Sequence, residues 1–518
     1  MWQKQLLGLS VVVSLALGTA LAQETQPATR AATASAPASA GVPLASGEKL
    51  AVTQHETTIG GKKVAFTATA GYQPLKDEAG KVKANFFYTA YEVKPPAEAT
   101  GPNLRPVTFV FNGGPGAASV WLHLGTVGPW KIALPAEGTA PVPPYQLVEN
   151  PDSWLGATDL VLIDPIGTGY SRAAAGEEAR KYYGVQEDIQ AVGEFIRGYL
   201  TRQQRMTAPL YLAGESYGTT RAVGLAEHLL NERGIRVSGL ILISTVLDFK
   251  TISVDANNDW PHVLYLPTYS ALAAYHGKLD AGLTRDLPGT LTRAETFALE
   301  TYLPALARGA ALEPARRNRV LDELALLTGM PRATLDRNDL RLSAPRFQQQ
   351  LLGDKQLVLG RFDGRMTAAA QDPGASGSQQ DPSLSAFLPP YTQTFNDYVR
   401  RTLRYENDLT YEVLSSRVHP WGGEPRGLSG GYLYVGDSLR TLLISAPETR
   451  VLVLSGRHDL ATPYFATQYT LDQLRLPADR RGQVRHVVLD GGHMMYHKQE
   501  NLPAVRAAVE KLLEEVKR

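Results

Sequence analysis

Apolar residues along this chain recur in two rhythms, and the switch between them is clearest over residues 209–234. The run Leu210-Tyr211-Leu212-Ala213 is continuous, as in a strand covered on both faces, and it stops at Gly214-Glu215-Ser216-Tyr217-Gly218. Ala222, Leu225, Ala226 and Leu229 then recur at i, i+3, i+4 and i+7. The pattern predicts strand, sharp turn, helix. Dense apolar runs at 107–111, 160–163, 240–243, 451–454 and 487–489 read as further buried strands, with helical stretches such as 185–200 between some of them. Ahead of these, over 52–93, residues alternate (Val82, Ala84, Phe86, Tyr88, Ala90) between turn signals at Gly60-Gly61 and 77–80, which predicts antiparallel strands opening the sheet. Together they predict an α/β fold, a mostly parallel central sheet with helices on both faces.

Between 249 and 427 the strand rhythm is lost. Helical stretches such as 313–328, proline-rich breaks and a Gly/Ser/Gln/Asp tract at 371–385 predict an inserted, mainly helical cap over 251–427, splitting a core of 47–250 and 428–518. At the N-terminus, Lys4, an apolar run at 6–17 and Ala20-Leu21-Ala22 read as a signal peptide over 1–22, so the protein is expected to be exported to the periplasm or beyond the cell, with no membrane span left after cleavage. Residues 23–46, rich in Ala, Ser, Thr and Pro, read as a disordered tether. None of the 518 residues is cysteine, so the fold must rest on its core without disulfides. A formal net charge of +1 without a long basic run gives no reason to expect nucleic acid or an anionic membrane as partner, and the chain carries no signal for an oligomeric state.

The glycines around Ser216 fit a nucleophile held on a strained strand-to-helix turn, where side chains two residues away on either side would collide. The bare pattern is weak, and a second match, Gly427-Leu428-Ser429-Gly430-Gly431, follows a turn-rich stretch and reads as loop. A serine hydroxyl needs a base and a group to orient that base. Among the ten histidines His493 stands out, because Asp490-Gly491-Gly492-His493 follows an apolar run and sets an imidazole on a strand-end turn; His497 is its local rival. Asp459 lies just beyond another strand and completes the order Ser216, Asp459, His493 of α/β-hydrolases, with Asp248 as the alternative acid. Asn112-Gly113-Gly114-Pro115-Gly116 follows the run 107–111 and supplies an oxyanion loop, so Gly114 and Tyr217 are the candidate backbone donors.

FNGGPGAAS at 111–119, IDPIGTGYS at 163–171, GESYG at 214–218, GRHDLATP at 456–463 and GGHMMY at 491–496 together resemble the serine carboxypeptidase family of α/β-hydrolases, with Met-Tyr after His493 most similar to its bacterial branch. The resemblance implies Ser216, Asp459 and His493 as catalytic triad, Gly114 and Tyr217 as oxyanion donors, and Asn112 and Glu215 as the groups that bind a substrate's C-terminal carboxylate. It implies a peptide substrate, an acyl-enzyme, no metal and no organic cofactor. A carboxylate facing a carboxylate is repulsive unless one carries a proton, so acidic pH is expected to favour binding. The sequence departs from the family at Val110, where a tryptophan is usual, at Ala117, where a cysteine is usual, and at Thr126, in place of a second carboxylate-binding glutamate. An esterase, aminopeptidase or acyltransferase with the same triad is the rival reading, and a non-catalytic binding protein on this scaffold is the rival from outside enzymes.

Overall fold

The computed structural model describes residues 50–94, 104–370, 381–422, 428–429 and 431–516. The expected signal peptide and tether lie outside the described residues. A ten-stranded sheet runs in the order Leu50–Ile59, Lys62–Lys76, Val82–Val93, Asp159–Ile163, Val107–Phe111, Leu210–Glu215, Gly239–Ile243, Arg450–Gly456, Val484–Leu489, with Arg172–Ala173 joining Val82–Val93 off this path. The first three strands are an antiparallel meander, and Val82–Val93 meets Asp159–Ile163 antiparallel. Every pairing from Asp159–Ile163 to the far edge is parallel.

The central strands are mostly apolar because both of their faces are covered. Val110, Tyr211, Ala213, Ile241, Ile243, Leu452 and Leu454 point to one cluster, shared with the helices Pro382–Arg401 and Asn501–Val516. Their neighbours Phe109, Phe111, Leu212, Leu240, Leu242 and Val453 point to the other, shared with Val185–Arg202, Tyr217–Arg233 and Gly436–Ser445. Period-two alternation is thus present, hidden because both faces are apolar.

Two sequence expectations need correction. The run 487–489 was expected to be covered on both faces, but Val484–Leu489 is an edge strand and only partly buried along its length. Among the described residues no strand pairs with its outer side, so its backbone and side chains stay accessible. Ser429 is not loop: Leu428–Ser429 pairs with Tyr432–Leu433 in a small hairpin.

Between Gly239–Ile243 and Arg450–Gly456 the chain is mostly helical. Its first part forms a third apolar cluster around Tyr269, Leu272, Tyr302, Leu324 and Phe347, which also takes in Leu460 and Phe465 from beyond Asp459. The helix Pro382–Arg401 behaves differently. It turns Phe387, Tyr391, Phe395 and Tyr398 into the cluster below the sheet, and Tyr398 Oη lies 2.5 Å from Tyr91 Oη on the antiparallel meander. No helix among the described residues is long and apolar enough to cross a membrane.

Candidate active site

The strand Leu210–Glu215 ends at Ser216, whose backbone sits at φ 59° and ψ −130°, a conformation that non-glycine residues rarely adopt. Three contacts hold it there: Ser216 N–H donates to Ile243 O at 2.9 Å, and Ser216 O accepts from Thr219 N at 2.8 Å and from Thr219 Oγ1 at 2.7 Å. The turn is so tight that a Cβ on Gly214 would lie 2.1 Å from Gly218 O. The flanking glycines are therefore steric requirements of the turn, and the side chain between them is presented at the start of the helix Tyr217–Arg233, where backbone N–H groups and the dipole favour developing negative charge.

Asp459 and His493 come from neighbouring strand ends. A Cβ on Gly456 would lie 1.9 Å from Gly492 O, and His458 N–H donates to Gly491 O at 2.8 Å, so the two loops are in direct contact. His493 Nδ1 lies 2.7 Å from Asp459 Oδ2. A carboxylate only accepts, so Nδ1 carries the hydrogen and Nε2 is left as the basic nitrogen. Asp459 is fully buried but saturated: Oδ1 accepts from Ala461 N at 2.7 Å and Thr462 N at 3.0 Å, and Oδ2 accepts from Thr462 Oγ1 at 2.7 Å. Ser244 Oγ donates to His493 O at 2.5 Å, and His493 N–H donates to Phe362 O at 2.5 Å, fixing the turn from two sides. Burial disfavours the imidazolium, yet the charge and hydrogen bond of Asp459 outweigh it and hold His493 above its ordinary value.

The rivals are placed elsewhere. Asp248 caps the turn Phe249–Thr251 by accepting from Lys250 N at 3.0 Å, and does not pair with His493. His497 is buried beside Phe387 with its Nε2 2.8 Å from Tyr391 Oη, and burial pushes it down to about 3, too weak a base to hold a proton near neutrality.

Asn112, Gly114, Glu215, Ser216, Tyr217 and His493 all line one cavity of about 150 Å³, walled by apolar groups that include Trp121, Phe249, Phe362 and Met494. Asp459 stands behind His493, outside that lining. No hydrogen bond joins Ser216 Oγ to the imidazole among the described residues; the two groups share the cavity. Gly113 is pressed onto the turn, since a Cβ there would meet Tyr217 N at 2.5 Å, so the oxyanion loop and the serine turn are packed backbone to backbone. Neither Gly114 N–H nor Tyr217 N–H is used in the loop and turn hydrogen bonds among the described residues. Two such donors facing one apolar cavity can stabilise an oxyanion.

Glu215 is buried beside Ser216. Its Oε1 accepts from Asn112 Nδ2 at 2.9 Å and its Oε2 from Tyr496 Oη at 2.6 Å. Burial raises this carboxyl to about 7, against the charge of His493 and the two hydrogen bonds, which favour ionisation. Thr126 sits in the helical turn His123–Val127, outside the cavity lining, and its buried hydroxyl has no partner among the described residues.

The sequence reading missed Thr462, Tyr496 and Arg221. Thr462 follows Asp459 by three residues, a spacing at which a hydroxyl and backbone N–H fold back on a carboxylate, so a local signal existed. Tyr496 stood in the motif GGHMMY, but nothing local pointed to its partner: its ring reaches Glu215 past Gly125, where a Cβ would lie 2.4 Å from the ring. Arg221, one turn into the helix, is buried; its Nε donates to Asp188 Oδ2 at 2.7 Å and its Nη1 to Asn112 O at 2.6 Å, tying helix, oxyanion loop and Val185–Arg202 together.

The comparison with known proteins turns on the segment that carries the serine and the oxyanion loop. Residues 59–260 match the serine carboxypeptidase family. Serine carboxypeptidase-like 45 of Arabidopsis thaliana is 30% identical over 231 residues, 42% of this chain and 45% of that protein. Carboxypeptidase sxa2 of Schizosaccharomyces pombe is 30% identical over 150 residues, 28% of this chain and 27% of its own length. The chain thus matches less than half of the length of these curated relatives, and neither bears on a bacterial branch. The crystal structure of a prohormone-processing carboxypeptidase from Saccharomyces cerevisiae superposes with a TM-score of 0.53 at 16% identity, covering 86% of this chain and 91% of that one, which shows the fold. The expected α/β-hydrolase architecture and serine carboxypeptidase resemblance are both borne out. The family match ends before Asp459 and His493, whose place beside the serine turn rests on their sequence motifs and on the geometry of the site.

Proposed function

We propose that this chain is an exported serine carboxypeptidase that removes C-terminal residues through an acyl-enzyme on Ser216. The observation that carries the reading is Glu215: a buried carboxyl raised to about 7, held by Asn112 and Tyr496, in the same cavity as Ser216 and His493. Ser216 Oγ attacks the scissile carbonyl carbon while His493 Nε2 takes its proton and Asp459 steadies the imidazolium. Gly114 and Tyr217 N–H groups receive the oxyanion. The C–N bond breaks as the amine leaves with the proton from His493, and water then repeats the sequence to release the acid and restore Ser216.

Asn112 and Glu215 hold the free carboxylate of the departing residue. Protonated Glu215 donates to it; ionised Glu215 repels it. The sign follows from a pKa of about 7: below that value Glu215 is neutral and binding is intact, and binding is lost as pH rises through it. Glu215 and His493 face each other electrostatically and titrate as a pair, so a proton on Glu215 also removes a negative neighbour that favours imidazolium, helping to keep Nε2 free in mildly acidic solution. The test is kcat/KM on matched peptides ending in a free acid or an amide across this range. The wild type is expected to favour the acid below pH 7 and to lose that advantage above it. Glu215→Gln keeps a donor at every pH, so its acid-to-amide ratio should lose the step near 7. Equal rates on acid and amide at every pH, in both proteins, would leave a serine hydrolase of another specificity.

Export is the second part of the reading, carried by the apolar run at 6–17 and Ala20-Leu21-Ala22. Protein recovered from the periplasm or medium is expected to begin at Gln23 on N-terminal sequencing. Recovery there with Met1 intact would overturn cleavage.

A further inference from the structure

We propose that Arg361 makes this site selective for peptides with an acidic side chain on the acyl side of the scissile bond; the inference rests on the carboxypeptidase reading and names its substrate class. Arg361 follows the short strand Leu357–Leu359 of the inserted segment and lines two cavities at once. One is the cavity around Ser216. The other, of about 750 Å³, runs on between Pro345, Gln348 and Val358 on one side and Ser415, Ser416 and His419 on the other. The two share Gly114, Arg361, Phe362, Leu384 and Leu414, whereas Asn112 and Glu215 belong to the first alone. A peptide with its carboxylate at Glu215 and its carbonyl over Ser216 therefore leaves through the shared residues, and its acyl-side side chains pass Arg361.

The charge of Arg361 is uncommitted. Among the described residues its guanidinium makes no ion pair or hydrogen bond, and it lies over the Phe362 ring at 5.4 Å. Among the described residues it is the one arginine or lysine in the lining of either cavity. The neighbouring acid, Asp381, is already engaged: Oδ1 accepts from Ser383 N, Ser383 Oγ and Leu384 N, and Oδ2 from the Arg361 backbone N–H. The positive charge also reaches the catalytic imidazole, on which it acts to lower the pKa. A planar guanidinium with no acid paired to it among the described residues, at the lip of an apolar cavity, is matched by a carboxylate, which it can take through two parallel hydrogen bonds. Glutamine or lysine at the same substrate position offers no such pairing.

The experiment compares kcat/KM for N-blocked peptide acids with Glu, Gln or Lys as the penultimate residue, in wild type, Arg361→Gln and Arg361→Glu. The wild type is expected to prefer Glu over Gln by about five- to tenfold, the span between an exposed and a partly desolvated ion pair. That ratio should fall to about one in Arg361→Gln, and Arg361→Glu should prefer Lys. An unchanged Glu-to-Gln ratio in Arg361→Gln, or a change confined to the C-terminal residue, overturns the inference. A second readout is independent of peptide turnover: protection of Ser216 from a fluorophosphonate probe by blocked peptides ending in Glu or Gln, the acyl-side products. Stronger protection by the Glu product in wild type, lost in Arg361→Gln, supports the role of Arg361; equal protection in both overturns it. A wild type that is labelled by the probe yet hydrolyses no peptide acid would instead overturn the carboxypeptidase reading.

Discussion

Ser216→Ala and His493→Ala are each expected to lower kcat/KM by about 10⁵-fold or more, with neither protein losing its fold. Residues that act as one unit fail together, so the double variant should be little worse than either single one. Asp459→Asn is expected to cost about 10⁴-fold, because an amide in place of a carboxylate no longer selects the Nδ1–H tautomer or stabilises the imidazolium. The geometry gives that loss a specific cause: Asp459 Oδ1 is occupied by two backbone N–H groups, so only Oδ2 faces the imidazole and an NH₂ group placed there would oppose Nδ1–H. Fluorophosphonate labelling should vanish in Ser216→Ala and persist in Ser429→Ala. Labelling that followed Ser429 instead would show that the nucleophile had been assigned to the wrong turn.

The largest expected effect on stability lies behind the site, at Arg221. Its side chain is 1% exposed and that of Asp188 4%. Arg221→Met leaves the Asp188 carboxylate without a countercharge and Asn112 O without its donor, and is expected to destabilise the fold by about 3–5 kcal/mol. Denaturant titration of the purified variant would measure this. Arg221→Met combined with Asp188→Asn removes the buried charge while keeping an acceptor for Tyr217 Oη, which lies 3.2 Å from Asp188 Oδ2. The double variant should therefore be more stable than Arg221→Met alone, a non-additivity characteristic of one buried pair. Activity should recover less than stability does, because Asn112 O is still unpaired and the oxyanion loop still lacks its tie to the serine helix. Full additivity of the two substitutions would mean that the pair is not energetically coupled.

Much of this architecture was legible from local pattern, because strand and helix rhythms, and a glycine-flanked turn, are decided within a few residues. The run 210–213 with its glycines and the following i, i+3, i+4, i+7 series specified the serine turn, and the steric distances around Gly214 show why no other residue type fits there. The buried strands were equally legible, since covering both faces demands continuous apolar sequence. What local pattern leaves open is which segments become neighbours. Asp248 and Asp459 both follow strands, and His493 and His497 lie four residues apart; only the contact of Gly456 with Gly492 puts Asp459 against His493, while burial among Phe387 and Tyr391 takes His497 out of contention. The edge position of Val484–Leu489, the docking of Pro382–Arg401 beneath the sheet, and the reach of Tyr496 to Glu215 across 281 residues all depend on long-range packing. By itself, then, the sequence determined the fold class, the strained serine turn and the residue types available for chemistry, all of which follow from short-range sterics and hydrophobic period. Tertiary structure decided which acid orients the histidine and how far burial raises Glu215, because both depend on distance and dielectric between residues that the chain order does not bring together.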